Sequence, residues 1–438
     1  MPRCFIRGTS LKQLLRPTPS LKLFILLSIF TCTYVFWTQQ PTENDLLYDK
    51  NLTDEALQNI AQDSRYAFVY RKKTHLPKDL KYILLWTPAD YAPFYYLGKG
   101  QRGFVTNNCS MVNCYVTDDR HFFGGDLSRF DALAFNGRNI QSLTLKDLPK
   151  ERSPHQKYIY FNTESADNYP VCNQIFDGFF NWTATYRLDS DIIYPYILIR
   201  NKTGDVVGPK LNMEWVGNME EIDEELASKL RNKSKAAAWF VSHCSSSSRR
   251  EEFVHKLRRA LLAYGLKLDI YGDCGILKCP RSQQSECNAL LEKKYHFYMS
   301  LENSFNKDYV TEKLLTSLQH NLVPIVYAGA NLSRFLPPGS FIDGRASKPE
   351  AVAGLMYRLM KSEKLYQQYF RWKNYYTYHD ATFENVCTVC QALNDKQKVE
   401  TFSQYKNFRE WWNPLYTEHC KSWIQRVFKA DLINKGAF

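Results

Sequence analysis

The stretch that most restricts how this chain can fold runs from Tyr295 to Gly329, YHFYMSLENSFNKDYVTEKLLTSLQHNLVPIVYAG. Its apolar run Phe297–Leu301 reads as a short buried strand. A polar loop, Glu302 to Lys307, follows. Asp308 can then cap a helix whose apolar positions, Val310, Leu314, Leu315 and Leu318, fall close to helical spacing. Val323–Tyr327 reads as the next strand. Strand, loop, helix and strand make the βαβ unit of an open parallel sheet, and such sheets bind ligands at the carboxyl ends of their strands. Here that edge carries Glu302, Asn303, Ser304, Tyr309, Glu312 and Lys313. A solvated loop with one helical ion pair does not need that density of acid, amide and base.

A second unit of the same kind precedes it. Ala236–Val241 reads as a strand and Ser242 to Ser248 as a loop. Ser248 with Glu251 predicts a capping box for a helix with apolar positions Phe253, Val254, Leu257 and Leu261; Gly265 ends it and Leu266–Tyr271 is the next strand. Arg249 and Arg250 fall in the first turn, the wrong end for cations by about 0.3–1 kcal/mol each. A bound anion reverses that sign; neutralisation by Glu251 and Glu252 is the plain alternative.

Upstream, Tyr82–Trp86, Asp131–Phe135 and Tyr158–Phe161 read as strands, the last delivering Asn162-Thr163-Glu164-Ser165 at its carboxyl end. Residues 209–235 read as a surface helix linking two domains, and the segment from Glu350 to Asn374 reads as helical. The class is α/β, with domains at 80–225 and 236–395 and an extension at 396–438 whose role the sequence leaves open.

Leu23–Trp37 is a run of 15 residues without charge, short of the roughly 20 of a spanning helix, so it borrows its flanks. All five charges of residues 1–22 (Arg3, Arg7, Lys12, Arg16, Lys22) are basic, and acids follow the run. That order predicts a cytosolic tail at 1–22, a signal anchor at 23–37, a stem at 38–79 and a lumenal remainder; a cleaved signal peptide is opposed by the bulky Val35-Phe36-Trp37. A short span suits a thin membrane of the early secretory pathway. Candidate glycosylation sequons at Asn51, Asn108, Asn181, Asn201, Asn232 and Asn331 agree with a lumenal remainder. So do ten of the 12 cysteines, which lie beyond the anchor and should mostly pair. Cys387-Thr-Val-Cys390 has no partner Cys-x-x-Cys, which favours disulfides over zinc. The net charge of +12 comes without a Lys/Arg-rich block, and an anionic small substrate accounts for it as well as RNA or DNA would.

Several separated motifs stand in one order. Thr185-Tyr186-Arg187 comes with Asp189-Ser190-Asp191, then Val241-Ser242 with Arg250, then Tyr271-Gly272. Phe297 to Ser304, Asp308 to Leu314, Val323 to Val326 and Pro337-Pro338-Gly339-Ser340-Phe341-Ile342 follow. Over about residues 80–395 the chain resembles the α1,3-fucosyltransferase family, and the type II anchor and stem fit it. The resemblance implies a GT-B fold, two Rossmann-like domains facing across a cleft. It implies inverting transfer of L-fucose from GDP-fucose to an N-acetylglucosamine hydroxyl of glycoprotein glycans, on the lumenal side of the Golgi membrane. By position it implies Glu164 as general base, and Arg250, Asn303, Tyr309, Glu312 and Lys313, with Tyr186 in addition, as donor-binding residues. His243 stands where the family usually has Asn. GDP-fucose is then a co-substrate, no cofactor is required, and a divalent metal is at most stimulatory.

The resemblance further implies that Cys109 and Cys114 bridge to Cys387 and Cys390. Cys244 with Cys274 is the other natural pair, since both follow strands of one sheet; sequence alone does not fix connectivity. Two other classes compete. One is a metal-dependent glycosyltransferase using Asp189 and Asp191. The other is an inactive glycan-binding homologue, which leaves Arg250 and Lys313 without a purpose. The acceptor, N-glycan core or antenna, is not legible, and the loops at 88–125 and 164–180 are where it should be decided.

Overall fold

The structure, a computed structural model, describes residues 80–421. The anchor, the stem and Asn51 lie outside the described residues; within them no helix is long and apolar enough to cross a membrane.

Two all-parallel sheets form the protein. The first has the order β2-β1-β3-β4-β5-β6, with β1 at Lys81–Leu85, β2 at Cys114–Thr117, β3 at Ala132–Asn136, β4 at Lys157–Asn162, β5 at Trp182–Thr185 and β6 at Ile192–Ile193. The second has the order β10-β9-β11-β12-β13, from Lys235–Phe240 (β9), Leu268–Tyr271 (β10), Tyr295–Leu301 (β11), Val323–Tyr327 (β12) and Ile342–Asp343 (β13). β3, β4, β9 and β11 are apolar runs because helices or loops cover both faces of a parallel sheet. A small antiparallel sheet, β14-β7-β8, joins Tyr376–Asp380 to Ile197–Asn201 and Val206–Gly208.

Three sequence expectations change. Residues 209–235 are mostly irregular, with one helix at Glu224–Arg231 capped by Asp223. Asp308 does not cap the helix of the βαβ unit, which begins at Lys313. Instead Asp308 is fully buried in a left-handed backbone conformation, where it accepts from the Leu188 amide and pairs with Arg334 at 2.7 Å. The capping box at Ser248 is absent as well: Arg249 takes the N-cap position, and the Ser248 hydroxyl donates to the Glu302 carbonyl. A competing tertiary acceptor won over the local one.

The chain does not stay in the second half to residue 395. At β14 it returns to the first: the Thr382–Asn394 helix packs Val386, Val389 and Cys390 into the core under β1, β2 and β3. Disulfides Cys109–Cys387 and Cys114–Cys390 join that helix to the first half. The extension then crosses the other face, where Phe408 and Trp412 are fully buried against Tyr160. Arg409 pairs with Asp177 at 2.8 Å, and Cys172 bonds Cys420. Cys244–Cys274 and Cys279–Cys287 lie in the second half.

Trp412→Ala removes a fully buried ring and the hydrogen bond from its indole N–H to the Tyr169 carbonyl. A loss of about 3–5 kcal/mol is expected in chemical denaturation. A loss below about 1 kcal/mol would mean that the extension is a loose tail.

Candidate active site

The two halves meet through the loop between β11 and its helix. Asn306 donates to Asp167 at 2.7 Å, Lys307 pairs with Asp189 at 2.7 Å, and Asp308 holds the Leu188 amide. Beneath them Leu188, Ile197 and Ile199 of the first half share one core with Val310, Leu314 and Val326 of the second. The Tyr309 and Tyr186 rings meet edge to face at 4.9 Å.

Glu302 shapes this loop from inside. It is 2% exposed, and its carboxylate takes the Thr311 amide at 2.7 Å, the Thr311 hydroxyl at 2.9 Å and the Lys313 ammonium at 3.2 Å. Lys313 also reaches the Thr311 hydroxyl at 2.6 Å and Glu312 at 3.3 Å. Burial pulls the Lys313 pKa down, but Glu302 and Glu312 outweigh it and hold the ammonium above its ordinary value. Gly329 is needed alongside, since a Cβ there would meet the Asn306 amide nitrogen at 2.6 Å.

The serine loop after β9 is fastened to the same place. The Ser248 amide and the Ser247 hydroxyl both donate to the Asn303 carbonyl at 3.0 Å. Arg250 is 4% exposed; its guanidinium donates to the Leu301 carbonyl at 2.7 Å and pairs with Glu251 at 3.3 Å, over the Trp239 ring. It is a fixed cation beneath the loop, close enough to depress the pKa of Lys313. Arg249, by contrast, is exposed and pairs with Glu252 at 2.6 Å.

From the opposite sheet, β4 ends in a turn in which Asn162 takes the Glu164 amide at 2.8 Å. Gly137, beside it, has no room for a Cβ, which would meet the Tyr160 hydroxyl at 2.3 Å. The Glu164 carboxylate has no hydrogen-bond partner among the described residues. Burial pushes its pKa up; Lys313 pulls it down, Glu312 pushes it up, Arg138 pulls it down and Glu302 pushes it up. A half-buried, unpaired carboxylate on one sheet therefore lies within electrostatic range of a braced ammonium on the other. A cavity of about 680 Å³ beside Trp86, Arg120 and Lys146 lies apart from this group.

Two family models match the chain: "Fucosyltransferase, N-terminal" over residues 78–197, and "Glycosyltransferase family 10 (fucosyltransferase) C-term" over residues 230–412. The chain belongs to the family-10 fucosyltransferases. It is 34% identical over 310 residues to alpha-(1,3)-fucosyltransferase C of Drosophila melanogaster, covering 70% of each chain. It is 32% identical over 344 residues to glycoprotein 3-alpha-L-fucosyltransferase A of the same organism, covering 77% of this chain and 62% of that one. A crystal structure of an alpha1,3-fucosyltransferase with GDP aligns at 13% identity and a TM-score of 0.43, over 75% of this chain and 92% of that one.

In this fucosyltransferase, Glu164, Arg250, Asn303, Tyr309, Glu312 and Lys313 come together. Tyr186 stands one layer back: it is buried, and its hydroxyl accepts from the Ala166 amide at 3.1 Å. Asp189 and Asp191 are occupied separately. Arg187 and Lys307 outweigh burial at Asp189 and hold its pKa down to about 2. Asp191 takes the Thr183 amide and the Tyr405 hydroxyl. Of the sequons, Asn232 and Asn331 are exposed. Asn108 is exposed too, Asn201 is partly buried, and Asn181 spends its amide on the Ser403 carbonyl and the Tyr158 amide. Sequence reasoning missed the organising role of Glu302, and its signal was an acid placed directly after a buried strand. It also missed Arg138, an exposed cation after β3 that no pattern marked.

Glu302→Leu leaves the Thr311 amide and the Lys313 ammonium without their buried acceptor. A loss of about 3 kcal/mol in chemical denaturation is expected, at the low end for a broken buried pair because Lys313 is partly exposed. A neutral result would show that the loop does not depend on this carboxylate.

Proposed function

We propose that the chain transfers L-fucose from GDP-fucose to an N-acetylglucosamine hydroxyl of glycoprotein glycans in α1,3 linkage, with inversion. On this reading the two sheets are the Rossmann-like halves of a GT-B fold, and residues 23–37 anchor it as a type II protein of the Golgi membrane. The observation that carries the proposal is the unpaired Glu164 carboxylate on one sheet within electrostatic range of Lys313 on the other.

Inverting transfer needs one base to take the acceptor proton while the anomeric carbon is attacked from the face opposite the leaving group. Glu164, its basicity raised by burial, fills that role. The departing diphosphate gains negative charge, and Lys313 with Arg250 supplies fixed positive charge where it develops. Asn303 and Glu312 line the donor side; Tyr309, backed by Tyr186, fixes the loop that presents them. The competing metal reading has less support, because Asp189 and Asp191 are each bonded to different protein donors. Transfer that survives EDTA separates the two. A glycan-binding homologue would bind without turnover.

Transfer assayed with GDP-fucose, EDTA and core N-glycan, LacNAc and LacdiNAc acceptors should yield product on at least one. Glu164→Gln should keep GDP-fucose affinity and lose about 10²–10⁴ in rate, whereas Lys313→Ala and Arg250→Ala should weaken GDP binding by calorimetry. Wild-type turnover in Glu164→Gln removes that residue from the mechanism.

The working form of Glu164 is ionised, so activity is lost as pH falls through its raised pKa. Arg138 opposes that rise, so Arg138→Gln should move the acidic limb of the rate profile to higher pH. A limb that stays put or moves lower contradicts the assignment.

A further inference from the structure

The segment from Thr87 to Leu97, TPADYAPFYYL, carries aromatic surface that the core does not use. In its short helix, Phe94–Leu97, Phe94 and Leu97 are fully buried, Tyr96 is partly buried against the same core and Tyr95 is left facing outward. Tyr95 is 51% exposed and Tyr91 37%. The Arg138 guanidinium lies 3.8 Å from the centre of the Tyr91 ring and 5.9 Å from that of Tyr169. The Ala92 carbonyl accepts from Asn136 at 3.0 Å, and the next residue, Gly137, packs against Asn162, which holds the Glu164 amide. At the other end, the Tyr95 and Tyr96 rings stand 4.2 Å apart, and Tyr96 senses Glu312 of the opposite half. One turn thus places exposed aromatic surface next to the turn that carries Glu164.

A phenol presents an apolar face and one polar tip at little entropic cost. A pyranose ring matches it with a C–H face and a rim of hydroxyls. An acceptor with a hydroxyl at Glu164 lays its neighbouring sugars over the surface adjoining that turn, and the Thr87–Leu97 segment forms part of it. We propose that Tyr91 and Tyr95 are acceptor-binding residues, a platform on which the sugars flanking the accepting residue stack and which selects the glycans that reach Glu164. The proposal rests on the fucosyl-transfer reading given above.

The test uses the whole chain, with core N-glycan, LacNAc and LacdiNAc as probes, in saturation-transfer NMR and in transfer kinetics. Tyr91→Ala and Tyr95→Ala should each weaken the saturation signal of the bound glycan and raise the acceptor KM at least ten-fold. The KM for GDP-fucose should stay within two-fold, and Tyr91→Trp and Tyr95→Trp should recover most of the acceptor affinity. Unchanged acceptor KM in both alanine variants, or a GDP-fucose KM that rises in step, overturns the platform. So does a wild-type chain that binds GDP-fucose but draws saturation onto no glycan. Failure of the underlying reading looks different: the chain does not bind GDP-fucose, or Glu164→Gln keeps full transfer. The effect of the alanine variants on glycan saturation then still decides the platform.

Discussion

A buried carboxylate is the constraint on which the rest of this protein turns. Taking Glu302 out of water costs several kcal/mol unless donors surround it. Its donors come from Thr311 and Lys313, residues that lie beyond the loop it opens. Satisfying Glu302 therefore closes residues 302–313 into one compact turn. That closure puts Lys313 at the start of its helix with its ammonium already held. It also fixes which loop residues face the first half, and three of them, Asn306, Lys307 and Asp308, are the ones that dock on it.

The docking is reinforced by connectivity. A chain that crossed once between two sheets would leave a single hinge. Here it crosses back at β14, is bonded to the first half through Cys387 and Cys390, and runs on until Trp412 fills the far face. The apolar core shared across the seam adds a cost to separating the halves that grows with the area exposed. Both constraints restrict how far the loop bearing Glu164 can shift relative to Lys313.

What was legible in the sequence was what local chemistry decides. Val323–Tyr327 is a strand with the predicted bounds, and Phe253, Val254, Leu257 and Leu261 form the buried face of their helix. These are apolar runs whose period alone selects an element. The errors share another cause. Asp308 and Ser248 have the right composition for caps, yet each found a partner distant in sequence, Leu188 and Arg334 for one and Glu302 for the other. Asn181 satisfies the sequon pattern while its amide is consumed by Ser403. The pairing of Cys172 with Cys420 depends on where the extension returns, which no spacing encodes. Asn303, Tyr309, Glu312 and Lys313 were marked by the strand-edge pattern and Arg250 by its place in a first helical turn, whereas the roles assigned to them, and Glu164 as base, came from the family resemblance.

On the proposed fucosyl-transfer reading, the arrangement also answers a problem that a base and a cation set near one another must solve. An exposed carboxylate and ammonium a few ångströms apart attract and pair. On the proposed reading, a Glu164 bonded to the Lys313 ammonium would be a poor base. Lys313 instead bonds Glu302, Glu312 and Thr311, so its direct contacts are filled from its own half. Glu164 feels the ammonium without being bonded to it, and the adjacent Glu312 and Glu302 charges offset part of that pull. Burial then leaves its carboxylate more basic than usual and free to accept a proton. Tertiary separation of the two groups, one satisfied and one left open by its own sheet, keeps carboxylate and ammonium within electrostatic range without a bond between them.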